Sequence, residues 1–190
     1  MRIAGIDYSL RCPAICVFDG DKRFCSKLCR FHFMSSTKRY EFLNQQSEPS
    51  ILWHEMKSFT NECERYSMIS DWALQIVSDC DLICIEDYAF AAKGKVFHIG
   101  ENTGVLKYRL WSAEPKLNYV SVPPTKIKKF GTGRGNARKE EVYAAFTAET
   151  HIDLLQTLQV KAKQIKSPVS DVADSYYICK YGHYLALKDS

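Results

Sequence analysis

Short, mainly apolar runs, RIAGIDYS and PAICVFDG, open the chain, and apolar residues crowd KRFCSKLCRFHF just after them. These runs read as three successive strands, with Asp19-Gly20-Asp21 turning between the last two, and so predict an antiparallel meander. Residues 36–52 lack a clean period and read as a loop. From about His54 to Ser78, apolar residues at Phe59, Cys63, Tyr66, Ile69, Ala73 and Ile76 recur every three or four positions, the spacing of a long amphipathic helix. DLICIEDY is a short apolar run ending in carboxylates, which predicts a buried strand with Glu86 at its C-terminal end. Helical spacing resumes in GENTGVLKYRLW, and LNYVSV reads as a strand. PPTKIKKF starts a short helix, since proline is tolerated in a first helical turn. GTGRGNAR reads as a flexible loop, Lys139–Thr150 as a helix, and 151–166 as a polar connection; Ser167-Pro168 opens a final helix. This order predicts an α/β fold whose mixed sheet combines a three-strand antiparallel meander with parallel strands and carries helices on both faces.

A length of 190 residues, with 46% hydrophobic and 13% aromatic content, suits one compact domain over 1–190. The formal charge of +4 matters less than its distribution. Between Pro115 and Lys139 stand Lys116, Lys126, Lys128, Lys129, Arg134, Arg138 and Lys139 without an Asp or Glu, a local cationic block. No stretch approaches the roughly 20 apolar residues that cross a bilayer, and a charged residue interrupts the first apolar run. Neither membrane insertion nor secretion is expected. Eight cysteines in such a chain point to reduced thiols and a cytoplasmic setting, in a bacterium or, for a viral protein, in its host. The pairs Cys12/Cys16, Cys25/Cys29 and Cys80/Cys84 lie in apolar, strand-like runs and read as small core residues rather than zinc ligands. Tyr177, Tyr181 and Tyr184 recur at helical spacing and read as core positions, while His98 reads as a surface or core histidine.

Four acids stand where apolar surroundings make them costly. Asp7 ends the run from Ile3 to Ile6, Glu86 ends another strand, and Asp171 and Asp174, three apart, project from one face of the final helix. Converging carboxylates repel one another, and two divalent cations would offset that charge. All-oxygen ligands select Mg²⁺, with Mn²⁺ as substitute, two ions per site. Such a pair, roughly 4 Å apart, serves in-line displacement at a phosphodiester. Taken singly, Asp7 can also close a strand and Asp171 can serve as a helix-start charge. Asp87 competes with Glu86, because neighbours on a strand face opposite ways.

Read in order, GID at Asp7, IED at Glu86, GENTG, GRGNARKEEV and DVADS on the last helix resemble the RuvC family of Holliday-junction resolvases, within the RNase H-like superfamily. The resemblance runs from about residue 1 to 183 and is weakest over 20–60 and 145–167. It implies that Asp7, Glu86, Asp171 and Asp174 are the metal ligands, that Lys139 stands near the scissile phosphate and that Lys128 contacts DNA. Lys126, Lys129, Arg134 and Arg138 would extend the phosphate surface. Two departures stand out. Tyr8-Ser9 follow Asp7 where the family has proline and glycine, and Ala89 occupies the place of the family's aromatic wedge. Tyr88 and Phe90 flank Ala89, and either can stack on an unpaired base, a contact worth about 1–3 kcal/mol, or pack in the core. Lys93 and Lys95 follow in a stretch suited to lining a DNA channel.

The resemblance therefore implies a homodimeric, Mg²⁺-dependent endodeoxyribonuclease acting on branched DNA, above all four-way junctions. The same chemistry on flaps, forks or structured RNA is the close alternative, and a binding protein of the same fold without catalysis is another. A sugar-kinase-like ATPase needs two domains and an N-terminal glycine-rich phosphate hairpin, which this chain does not offer.

Overall fold

A computed structural model describes residues 1–48, 50–87, 96–161 and 164–188. Its centre is a six-stranded sheet formed by β1 (Arg2–Asp7), β2 (Ala14–Asp19), β3 (Cys29–Ser35), β4 (Ile51–Glu55), β5 (Leu82–Glu86) and β6 (Tyr119–Val122), in the order β4-β3-β2-β1-β5-β6. The expected meander is present: β1 pairs antiparallel with β2, and β2 with β3. β5 runs parallel to β1, β6 to β5, and β4 to β3.

The helices are α1 (Glu62–Val77), α2 (Val96–Ser112), α3 (Pro124–Thr132), α4 (Lys139–Thr150), the single turn α5 (Leu154–Thr157) and α6 (Val169–Lys188). Alternation along the strands sorts their side chains onto two cores. Ala4, Ile6, Ile15, Ile83 and Ile85 pack against α1 and α2, while Ile3, Cys16, Phe18, Phe31 and Cys84 pack beneath α6 with α3 and α4. Both faces are thus covered, as the sequence pattern implies for strands this apolar.

The structure departs from the sequence pattern in several places. The third strand begins only at Cys29, because Ser26–Leu28 form a 3-10 turn ahead of it. Residues 36–52 are not a plain loop: Lys38–Gln45 form a 3-10 segment that buries Tyr40 and Leu43, and β4 follows. β4 is an edge strand, and the Asn44 side chain satisfies its outer edge, accepting from the Trp53 amide at 2.8 Å and donating to the Trp53 carbonyl at 3.0 Å. This strand takes up His54 and Glu55, so α1 starts eight residues after the apolar period begins. Asn61 caps it by accepting from the Glu64 amide at 2.9 Å. Gly131 and Thr132 belong to α3, which stops at Gly133, a residue in the left-handed region (φ 80°) that glycine enters without strain. GENTG lies inside α2 rather than at its start. Cys12, Cys16, Cys29, Cys80 and Cys84 are buried, as their setting implies, and Cys25 partly so. Of the three tyrosines only Tyr177 is fully buried; Tyr184 is exposed, and Tyr181 and Tyr184 both stack on Phe130.

Candidate active site

β1 and β5 are parallel neighbours with Ile6 beside Ile85, so Asp7 and Glu86 end adjacent strands at the same edge of the sheet. Glu86 shares its face with Cys84 under α6, whereas Asp87 falls on the Ile85 side and meets Lys107 Nζ of α2 at 3.5 Å. The two-residue periodicity of the strand thus separates the rival carboxylates.

The other two acids arrive on α6, which lies directly on the backbone of β1. A methyl group on Gly5 would fall on the backbone of Cys179 and come within 2.6 Å of the Ser175 carbonyl oxygen, so only glycine permits this approach. Gly182, one turn further along, lets the helix rest on Cys84 and Ile3. With α6 held in this register, its first turns carry Asp171 and Asp174 over the ends of β1 and β5.

Burial raises all four carboxyls, and acidic neighbours raise Asp7, Glu86 and Asp174 further. Burial first, then the charges of Asp171, Glu86 and Asp174, hold the Asp7 carboxyl well above the usual range. Burial, followed by Asp174, pushes Glu86 to about 7; burial, followed by Asp171, pushes Asp174 to about 7. Asp171, only 5% exposed, is raised by burial, with Ser167 and Lys139 pulling it back. Its Oδ1 accepts from Ser170 Oγ at 3.3 Å, while Oδ2 is buried without a hydrogen-bond donor. Lys139 lowers all four, and Lys128 lowers Glu86 and Asp174. Two lysines thus face four acids.

Lys139 Nζ donates to Ser170 Oγ at 3.2 Å, tying the start of α4 to the start of α6. Lys126 and Lys129 are exposed on α3. The cationic block is less free than its acid-free sequence implies, because Glu141, just beyond it, pairs with Arg134 at 2.9 Å and Arg138 at 3.5 Å. Lys116 stands apart, 5.5 Å from the centre of the Trp111 ring. Tyr88, Phe90, Lys93 and Lys95 lie outside the described residues.

Sequence reading passed over three contributors. Ser170 bridges Lys139 and Asp171, and its place beside the DVADS motif was the available signal. The buried Cys12 thiol lies close enough to Asp171 and Asp7 for both to raise its pKa. Arg65, distant in sequence, donates to the Leu10 carbonyl at 2.5 Å and holds the β1–β2 loop. Nothing in the local sequence marks that contact.

The donor set fits hard divalent cations: four carboxylates, an orphaned buried oxygen on Asp171, and excess negative charge. Among the described residues no three His, Cys, Asp or Glu side chains form a finished metal cage, so the carboxylates gather without closing on one point.

No protein-family profile matches this chain, and no curated protein matches its sequence. In structure it is similar to Thermus thermophilus RuvC, with a TM-score of 0.59 and 15% identity over 99% of this chain and 97% of that one. It is also similar to the fowlpox virus Holliday junction resolvase (TM-score 0.51, 13% identity, 97% and 99% covered) and to the yeast mitochondrial Holliday junction resolvase (0.54, 15%, 99% and 82%). The bacterial and viral proteins are also known in complex with Holliday junction DNA. The mixed six-stranded sheet flanked by helices makes this an α/β protein. Within that class, its fold is RuvC-like.

Proposed function

We propose that the protein is a Mg²⁺-dependent, structure-selective endonuclease that cleaves phosphodiester bonds in branched DNA, with four-way junctions as its principal substrate. The observation that carries this reading is the convergence of Asp7, Glu86, Asp171 and Asp174 at one sheet edge, beside Lys128 and Lys139, in a RuvC-like resolvase fold. The four carboxylates would hold two Mg²⁺ ions, for which Mn²⁺ can substitute. Bound there, such ions would supply a water nucleophile at neutral pH and would neutralise charge on the attacked phosphate. Lys139 and Lys128 offset the remaining charge of the acids and attract the DNA backbone, and Ser170 orients Lys139. Lys126 and Lys129 on α3 extend the attraction along the duplex, and Lys93, Lys95, Tyr88 and Phe90 are assigned to the DNA channel on the resemblance alone.

A homodimer belongs to the same reading, since two symmetric sites suit paired cuts across a junction. Phe97, Tyr108 and Trp111 stand exposed along one side of α2, in support of such an interface. The whole chain 1–190 is read as one nuclease domain. No helix among the described residues is long and apolar enough to cross a membrane. The free cysteines suit a reducing cytoplasm. A binding-only protein of the same fold is the second reading.

Cleavage of a mobile four-way junction, a flap and a structured RNA hairpin with and without Mg²⁺ tests the assignment. We expect Mg²⁺-dependent cuts, fastest on the junction, and a loss of about 10³-fold or more in Asp7→Asn. Equal cutting by the variant sinks the metal-site reading. Binding without cleavage in Mg²⁺ or Mn²⁺ selects the second reading.

A further inference from the structure

β1, β3 and β4 all run in one direction, so the ends of β3 and β4 open onto the same edge of the sheet as Asp7. There the surface holds a groove of about 620 Å³ lined by Arg11, Ser36, Lys57, Ser58, Phe59 and Arg65. Arg65 is 7% exposed and forms the groove's firm wall. Its Nη2 donates to the Leu10 carbonyl, its Nη1 stands 3.3 Å from Glu62, and its guanidinium lies 4.8 Å from the centre of the Phe59 ring. Its Nε is buried with no hydrogen-bond partner. Arg11 and Lys57 are exposed and make no ion pair with a described residue. The acid on the wall, Glu55, is engaged by Lys38 at 3.1 Å. The groove therefore presents two free cations and two hydroxyls in front of a buried guanidinium, which is the chemistry of an oxyanion site.

Its position selects the anion. β4 lies three strands from β1, about 14 Å at the usual strand spacing, and Arg11 stands in the loop between. The lysines of α3 and α4 flank the carboxylates from the α6 face, and the cations of the groove stand at the same carboxyl edge of the sheet on the α1 side. A DNA strand rises about 3.4 Å per base pair, so about 14 Å spans about four base pairs.

We propose that this groove is a second backbone subsite, which holds a phosphodiester of the substrate's arm about four base pairs from the cleaved bond, with Arg11 and Lys57 as its charges. The inference rests on the nucleic-acid reading above and adds to it where the arm is gripped. Phe59 covers the Arg65 guanidinium and keeps its charge at the wall of the groove rather than in bulk water.

The test is binding of a labelled four-way junction by the full chain without divalent cation, read by fluorescence anisotropy over about 50–200 mM salt. The slope of log affinity against log salt should flatten by about one unit in Lys57→Ala and about two in Arg11→Ala/Lys57→Ala, since each lost phosphate contact releases about one fewer counterion. Lys57→Arg should retain the slope, and unchanged melting temperatures should show that these exposed substitutions leave the fold intact. Methylphosphonates about three to five base pairs from the cut should weaken binding by the wild type and not further weaken the double variant. A steep slope that the double variant leaves unchanged overturns the subsite and leaves the nuclease reading standing. Failure of the wild type to bind branched DNA overturns both.

Discussion

The two faces of the sheet treat acidic residues in opposite ways. On the α1/α2 face several acids have a cation of their own: Asp87 with Lys107, Asp71 with Arg109 at 2.5 Å, and Glu62 with Arg65. Under α6, four carboxylates share Lys139 and Lys128, and burial and mutual repulsion lift Glu86 and Asp174 to about 7. A fold under selection for stability alone would pair or remove those charges, and this imbalance is why the proposed function puts the active site on the α6 side. Glu86 and Asp87 show the contrast at its sharpest, because adjacent residues of one chain meet opposite environments.

The strongest challenge to this comparison exchanges those neighbours. Glu86→Gln should lower junction cleavage by about 10³-fold, worth about 4 kcal/mol of barrier, while Asp87→Asn should change the rate less than about twofold. Equal losses in the two variants would erase the distinction between the faces.

Next comes the contact that holds α6 in register. Gly5→Ala forces a methyl into the backbone of Cys179 and should cost about 3 kcal/mol or more, measured by chemical denaturation, and should lower metal affinity with it. Wild-type stability in this variant would show that α6 does not rest on β1 as described.

The smallest effect is a pH dependence. Glu86 and Asp174 titrate near 7 in the folded protein and near 4 when unfolded, so the stability linked to their protonated forms is complete below about 4 and is lost as the pH rises through 7. Without metal the melting temperature should therefore fall between pH 5 and pH 8, on the order of 5 °C, and Mg²⁺ should restore more of it at pH 8 than at pH 5. Buried His32 and half-buried His54, whose pKa values are lowered from 6.5, give the opposite slope below that pH. Asp174→Asn keeps both histidines and weakens the carboxylate slope, so its melting curve should fall less than the wild type's. Identical pH profiles for the two proteins would mean that the carboxylates are not held together.

Much of this face was legible beforehand. The strand ending at Glu86, the α4 helix over Lys139–Thr150 and the two aspartates three apart on the last helix all follow from short-range periodicity. β4 was not legible, because an edge strand is made by its partner β3 and by the Asn44 side chain rather than by its own pattern. The freedom of Arg134 and Arg138 was misjudged for a similar reason, since Glu141 folds back from the next helical turn.

The sequence by itself determined the alternation that builds two buried faces, the acids that end β1 and β5, and the acid pair at the start of α6. These depend on φ/ψ preferences and side-chain period, which act between near neighbours. Tertiary structure alone decided that Glu86 and not Asp87 joins the cluster, that Ser170 and Cys12 stand beside Asp171, and that Arg65 secures the β1–β2 loop. The first two depend on which face α6 covers and how closely it approaches Gly5, a contact between residues more than 170 positions apart in the chain, and the third on how α1 packs against the loop 55 residues before it.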